Sequence, residues 1–395
     1  MKTILLAALT ALAAAPIVAF AQQKPPIAQY WMSVETATGM SIPGMGAGGM
    51  AGIMAGMMGG GQQQGGRKIS LHLGSQRPAD APSAAHDIPA GMNMGPSLPL
   101  LTPRGTERQP TERERHESTE RPKGRMQIYW GCGEATRAGQ PVIIDFARLA
   151  QGQMPSGMAG RNVAVGGPVS NRTNGLWPNQ QDSKAVPDSA SLLGEHKIRG
   201  NYTPDIPFAL GAGHDFMERV ELTTAARGAG ATAVRWNAPS AATGYFATAM
   251  GGDGNDMVMW SSSEVQESGG SLMDYIPPVE VARLIREKVV MPPQTTECTV
   301  PAAVVKQAQM FSFIAYGPEA NFGHPPRPQD PQWYVKVRFK STASTLLGES
   351  GGSSGRTQRA EPSRAPAPSG DPSAQPAAPD PVKDGINILR GIFGR

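Results

Sequence analysis

The sequence predicts a mainly β protein: two β-sandwich-like domains carrying long disordered insertions, followed by a disordered C-terminal tail. Three observations lead there. Aromatic and β-branched residues gather in short runs bounded by turn residues. Those runs follow one another with little helical pattern between them, which argues for sandwich or barrel packing over a parallel βαβ fold. The 48 Gly and 37 Pro among 395 residues concentrate in a few stretches, marking loops and linkers.

Taken in order, the chain opens with Lys2, an apolar run from Ile4 to Val18, and the small-x-small triplet Ala19-Phe20-Ala21. An apolar core this short reads as a removable secretory signal over residues 1–21, with no transmembrane segment left after its removal. No lipobox cysteine follows it. Residues 22–180 form the first expected domain. Its segments 29–36 and 67–74 alternate as strands, and the Met/Gly tract 39–66 between them reads as the inflated turn of one hairpin, since closure entropy rises only slowly with loop length. A second, charged insertion, 104–125, is expected to be solvated. Strand-like runs follow at 126–134 and 141–146, and 151–190 is read as a long surface crossing.

Residues 181–347 form the second expected domain. Strands are expected at 219–224, 231–236, 244–250 and 257–262, then a helix near 278–290 with Pro277 and Pro278 at its start and Val281, Leu284, Ile285 and Val289 on one stripe. Two strands, 310–316 and 334–340, close it. In the last, Val335, Val337 and Phe339 alternate with Lys336, Arg338 and Lys340. A Pro/Ala/Ser linker, 348–381, leads to a short amphipathic segment, 382–395. Val382, Ile386, Leu389 and Phe393 share one face there and suit docking on an envelope protein or a membrane surface.

Two cysteines, Cys132 and Cys298, in an exported chain read most naturally as one disulfide joining the two halves; two buried free thiols are the alternative. The formal charge of +4 is spread between both signs, which argues against nucleic-acid binding.

Most motifs dissolve on inspection. The stretch 251–259 spells one copy of a calcium-binding nonapeptide, but such turns bind ions only when stacked, and a Gly/Asp/Asn hairpin loop is the better reading. The GxGxxG at 44–49 lacks a βαβ unit, and the GxSxG at 351–355 lies in the tail. The tract methionines Met40, Met45, Met50, Met54, Met57 and Met58 offer soft thioethers for Cu(I), though a flexible, mildly apolar loop accounts for them as well. The six histidines are scattered. Glu195-His196 and His214-Asp215 are acid–His neighbours, which an extended strand sends to opposite faces. The carboxylate pairs Asp145 with Glu134 and Glu264 with Asp274 carry no glycosidase spacing. No catalytic, cofactor-binding or metal-binding residue is singled out, and no cofactor is expected.

The run 233–239 followed by 242–249, with Trp236 and Tyr245, resembles the central strands of a fibronectin type III domain, and 231–262 is read as part of such a sandwich. The segments 128–134, 257–265 and 335–342 resemble uncharacterised exported proteins of Gram-negative bacteria. That resemblance implies residence in the periplasm or outer envelope and supplies no activity. The leading expectation is a non-catalytic binding or scaffolding protein. The alternatives are a periplasmic hydrolase with a site assembled from distant loops, and a Met-rich copper-handling protein.

Overall fold

A computed structural model describes residues 25–41, 63–103, 124–149, 151–153, 161–169, 171–253, 256–267, 270–325 and 331–347. The expected signal 1–21, residues 42–62 and 104–123 of the two insertions, and the segment with Val382, Ile386, Leu389 and Phe393 lie outside them. The structure is mainly β. Its backbone is a nine-stranded sheet built on β1 (Ala28–Ser41), which sends Tyr30, Met32 and Val34 inward and Trp31, Ser33 and Glu35 outward, the period-2 alternation of a strand. β2 (Gln63–Ser75) pairs antiparallel with β1 from Ala28↔Ser75 to Ser41↔Gln63. The Met/Gly tract is therefore the connection of one hairpin, as its flanks predict.

Strand β16 (Trp333–Leu346) runs parallel to β1 on its other side, Tyr30 beside Val335 and Val34 beside Phe339. Next come β15 (Ala308–His324), β12 (Gly244–Asp253) and β13 (Asp256–Ser261), then β5 (Arg125–Trp130) parallel to β13, and β6 (Val142–Asp145) at the edge. At the opposite edge β7 (Thr173–Trp177) pairs with β2. This strand corrects the reading of 151–190 as a surface crossing: Trp177 is 3% exposed. Its Gly175 could not carry a side chain, because a Cβ there would stand 2.4 Å from the Tyr202 hydroxyl and 3.0 Å from Leu100.

Two smaller sheets cover the inner face. One contains β4 (Ser97–Leu100), β3 (Ala84–Asp87), β8 (Gly194–Gly200) and β9 (Ile206–Leu210), in that order. The other contains β10 (Leu222–Ala226), β11 (Thr232–Trp236) and β14 (Glu297–Val300). One apolar core runs through both layers, from Tyr30, Leu71 and Ile198 to Val234, Phe313 and Val300. Sandwich packing explains this: each sheet has one apolar face and must bury it against another. The boundary expected at residue 180 does not partition these sheets. β1, β2, β5, β6 and β7 share the nine-stranded sheet with β12, β13, β15 and β16, while β3 and β4 share theirs with β8 and β9.

The outer face carries helices. α1 (Phe146–Leu149) closes the corner beside β6, with Asp145 Oδ1 accepting hydrogen bonds from the Ala147 and Arg148 amides at 2.9 and 3.1 Å. α2 (Pro278–Arg286) starts on Pro278, as expected, and buries Val281 and Leu284 against Phe246 and Ile314. It ends four residues before the expected limit, because Lys288 adopts the left-handed region at φ 60° and turns Val289 and Val290 back into the same cluster. On the inner side, a last turn, α3 (Ala302–Val305), follows β14 and buries Val304 in the main core.

Candidate functional site

The histidines that looked scattered include a pair that meets in the core. His86 on β3 and His196 on β8 are 110 positions apart, yet His86 Nε2 and His196 Nδ1 lie 2.9 Å apart. The chain continues at both ends: Tyr30 Oη lies 2.8 Å from His86 Nδ1, and His196 Nε2 lies 2.7 Å from the Leu192 carbonyl oxygen. That carbonyl can only accept, so the direction of every bond follows. His196 Nε2–H donates to it, His86 Nε2–H donates to His196 Nδ1, and the Tyr30 hydroxyl donates to His86 Nδ1. Phe208 stacks on His196 at 4.8 Å between ring centroids.

All three polar side chains are essentially sealed, at 0% for Tyr30 and His86 and 1% for His196. Burial holds His86 well below the usual imidazole range, and the neighbouring His196 charge adds to that. Burial also lowers His196, against the opposing pull of the Leu192 carbonyl. Burial pushes the Tyr30 hydroxyl well up. Both rings are therefore neutral at pH 7, and the chain is a polar rivet between the nine-stranded and four-stranded sheets.

Acid should open it. The folded imidazoles have depressed pKa values and the unfolded ones about 6.5, so the unfolded chain binds more protons in the window between them. Stability is level above about pH 6.5 and falls as the pH drops below it. We expect the urea midpoint to hold from pH 8 to 7 and to decline between pH 6.5 and 5, before carboxylates such as Glu35, also held low in the fold, begin to protonate. A midpoint unchanged down to pH 5 would contradict this.

The other residues considered for acid–base chemistry go elsewhere. Glu195 is exposed while its neighbour His196 is buried, as the strand alternation requires. Asp215 accepts from Ser191 Oγ at 2.6 Å and from the Leu192 amide at 2.9 Å, and His214 lies against Phe339 with ring centroids 6.1 Å apart. His72 Nε2 bonds Asn174 Oδ1 at 3.1 Å, and His324 stacks on Trp333 at 5.8 Å. In the nonapeptide-like loop, Asp253 pairs across the β12–β13 hairpin with Asp256, whose carboxylate is taken by Arg125 at 2.7 Å. Both GxGxxG and GxSxG stretches lie outside the described residues.

A second constellation sits on the outer face of β1 and β16, where sequence reading saw alternation and no contacts. Trp31, Ser33 and Glu35 stand beside Lys336, Arg338 and Lys340 in register. The Arg338 guanidinium lies 4.4 Å from the Tyr275 ring centre and 5.3 Å from that of Trp31, and Lys340 Nζ lies 4.4 Å from Tyr275. Two cations thus flank one aromatic ring. Arg338 donates to Ser33 Oγ at 2.8 Å and to the Gly166 carbonyl, Lys336 pairs with Glu319 at 2.7 Å, and Lys340 faces Glu35 at 3.8 Å. Burial would push Glu35 up, but the Lys340 charge and the Thr342 hydrogen bond outweigh it and hold the carboxylate below its ordinary value. Trp31 and Lys336 keep part of their surface in solvent.

Cys132 and Cys298 are joined in a disulfide, with Cα atoms 5.3 Å apart. Among the described residues no three His, Cys, Asp or Glu side chains gather as metal ligands, and no helix is long and apolar enough to cross a membrane. No family model, curated protein or solved structure matches this chain.

Proposed function

We propose that this chain is an exported, non-catalytic binding or scaffolding protein of the cell envelope. One observation carries the non-catalytic part. His86 and His196, the histidines that converge, form a closed chain from Tyr30 Oη to the Leu192 carbonyl with every ring nitrogen occupied, so neither is free to take a proton from a substrate. The outer face of β1 and β16, with Trp31, Lys336 and Arg338, is the docking surface in this reading; an aromatic beside Arg is the composition of interface anchors.

Export rests on the signal-like residues 1–21 and is supported by the Cys132–Cys298 disulfide, which suits an oxidising compartment. The fibronectin-like reading of 231–262 is supported by topology. The sheet β10-β11-β14 faces β13-β12-β15-β16, and Trp236 on one layer meets Tyr245 on the other, 5.6 Å between ring centroids.

The test is cross-linking mass spectrometry on the native protein in fractionated cells. Reproducible links from Lys336 or Lys383 to one envelope protein are expected. A monomer without links in the soluble fraction would sink the scaffold reading.

A further inference from the structure

Four methionines from three strands pack together at the corner formed by β5, β12 and β13. In the register, Met257 stands beside Met126 on β5, and Met259 stands opposite Met250 on β12. Met257 and Met259 are two residues apart on one strand and share its outward face. Met126 and Met259 are buried, while Met250 and Met257 are half-buried and pack against them. Phe146 and Leu149 of α1 belong to the same cluster. Met310 on β15 continues the row beside Met250. The residue opposite Met257 on β12 is Gly252, which contributes no side chain to the patch. At the rim, the Arg125 charge is neutralised by Asp256 at 2.7 Å.

Core methionine normally fills irregular gaps, and two of these do so. What packing alone does not require is that the other two, at partly exposed positions, should also be thioethers beside the first pair in the register. Neutral, polarisable sulfur binds soft monovalent ions and ignores hard ones. A ring of uncharged thioethers also suits a monocation, because it replaces water ligands without burying an opposing charge. We propose that Met126, Met250, Met257 and Met259 form a binding site for a soft monovalent metal ion, Cu(I) in the cell. The site is independent of the binding reading above and of the tract methionines, of which Met40 stands near the end of β1 and Met45, Met50, Met54, Met57 and Met58 lie outside the described residues.

The experiment uses the full chain labelled with 13C at the methionine methyl groups, with Ag(I) as a redox-inert probe in chloride-free buffer. Single Met→Leu variants assign the resonances. The methyl signals of Met126, Met250, Met257 and Met259 should move together and saturate at one equivalent. The double variant Met250→Leu/Met257→Leu keeps side-chain volume and should melt like the parent. It should lose at least tenfold in Cu(I) affinity, measured anaerobically by competition with a chromogenic Cu(I) chelator. Signals that move only among the tract methionines would overturn the site while leaving a metal-binding tract standing. Four unmoved signals with unchanged affinity in the double variant would overturn it as well.

Discussion

Replacing both cysteines, Cys132→Ser with Cys298→Ser, should lower the unfolding free energy by about 5 kcal/mol, which the chain-entropy account of cross-links assigns to a loop of this length. The bond spans 166 positions. It also joins layers: Cys298 lies in β14 of the three-stranded sheet, and Cys132 follows β5 of the nine-stranded one. Neighbouring bonds hold the same junction, with the Gly133 amide donating to the Thr299 carbonyl at 2.8 Å and Trp260 Nε1 donating to the Gly131 carbonyl at 3.0 Å. The variant should therefore fold to the same structure, and the loss should come from the freed unfolded chain. Denaturant titration of the oxidised parent and the double variant measures it. A loss below about 1 kcal/mol would mean that the unfolded chain stays compact without the bond.

His86→Ala should cost about 3–5 kcal/mol. Removing the ring leaves the Tyr30 hydroxyl without its acceptor and His196 Nδ1 without its donor, each sealed from water, and unsatisfied buried groups cost roughly 1–3 kcal/mol apiece. The cavity left against Phe208 adds to that. Tyr30→Phe removes one end of the chain only and should cost about 1–3 kcal/mol. The order of the two losses is the informative readout, together with a shallower decline between pH 6.5 and 5 in the His86 variant, where His196 alone is left to titrate. If His86→Ala unfolds within about 1 kcal/mol of the parent, the three side chains are not acting as one unit.

Much of the fold was legible because its strongest strands are locally patterned. Val335, Val337 and Phe339 against Lys336, Arg338 and Lys340 could be nothing else, and β1, β2, β5, β6, β10, β11, β12, β13, β15 and β16 all fall at or around expected runs. Six short strands escaped notice, β3, β4, β7, β8, β9 and β14, and three of them are poor in β-formers: Ala-Ala-His-Asp for β3, Thr-Asn-Gly-Leu-Trp for β7, and Ile-Pro-Phe-Ala-Leu for β9, with Pro207 inside it. Their conformation comes from the sheet they join. The candidate sites were far less legible. His86 and His196 were visible singly, as were Met126 and Met257, but no local signal says that residues more than a hundred positions apart will touch. Sequence reading did place 251–259 as a hairpin loop, and the structure pairs β12 with β13 there.

The sequence by itself determined the mainly β class, the hairpin interrupted by the Met/Gly tract, and the helix starting at Pro278. These follow from side-chain period and backbone freedom, which each segment carries alone. Only the tertiary structure decided that β1 lies parallel to β16, Ser33 beside Arg338 across 305 positions, and that one nine-stranded sheet runs through both halves. A strand's edge offers the same N–H and C=O groups to every candidate neighbour. Which neighbour it takes is settled by how the inward faces fill a shared core, and that sum is over the whole chain.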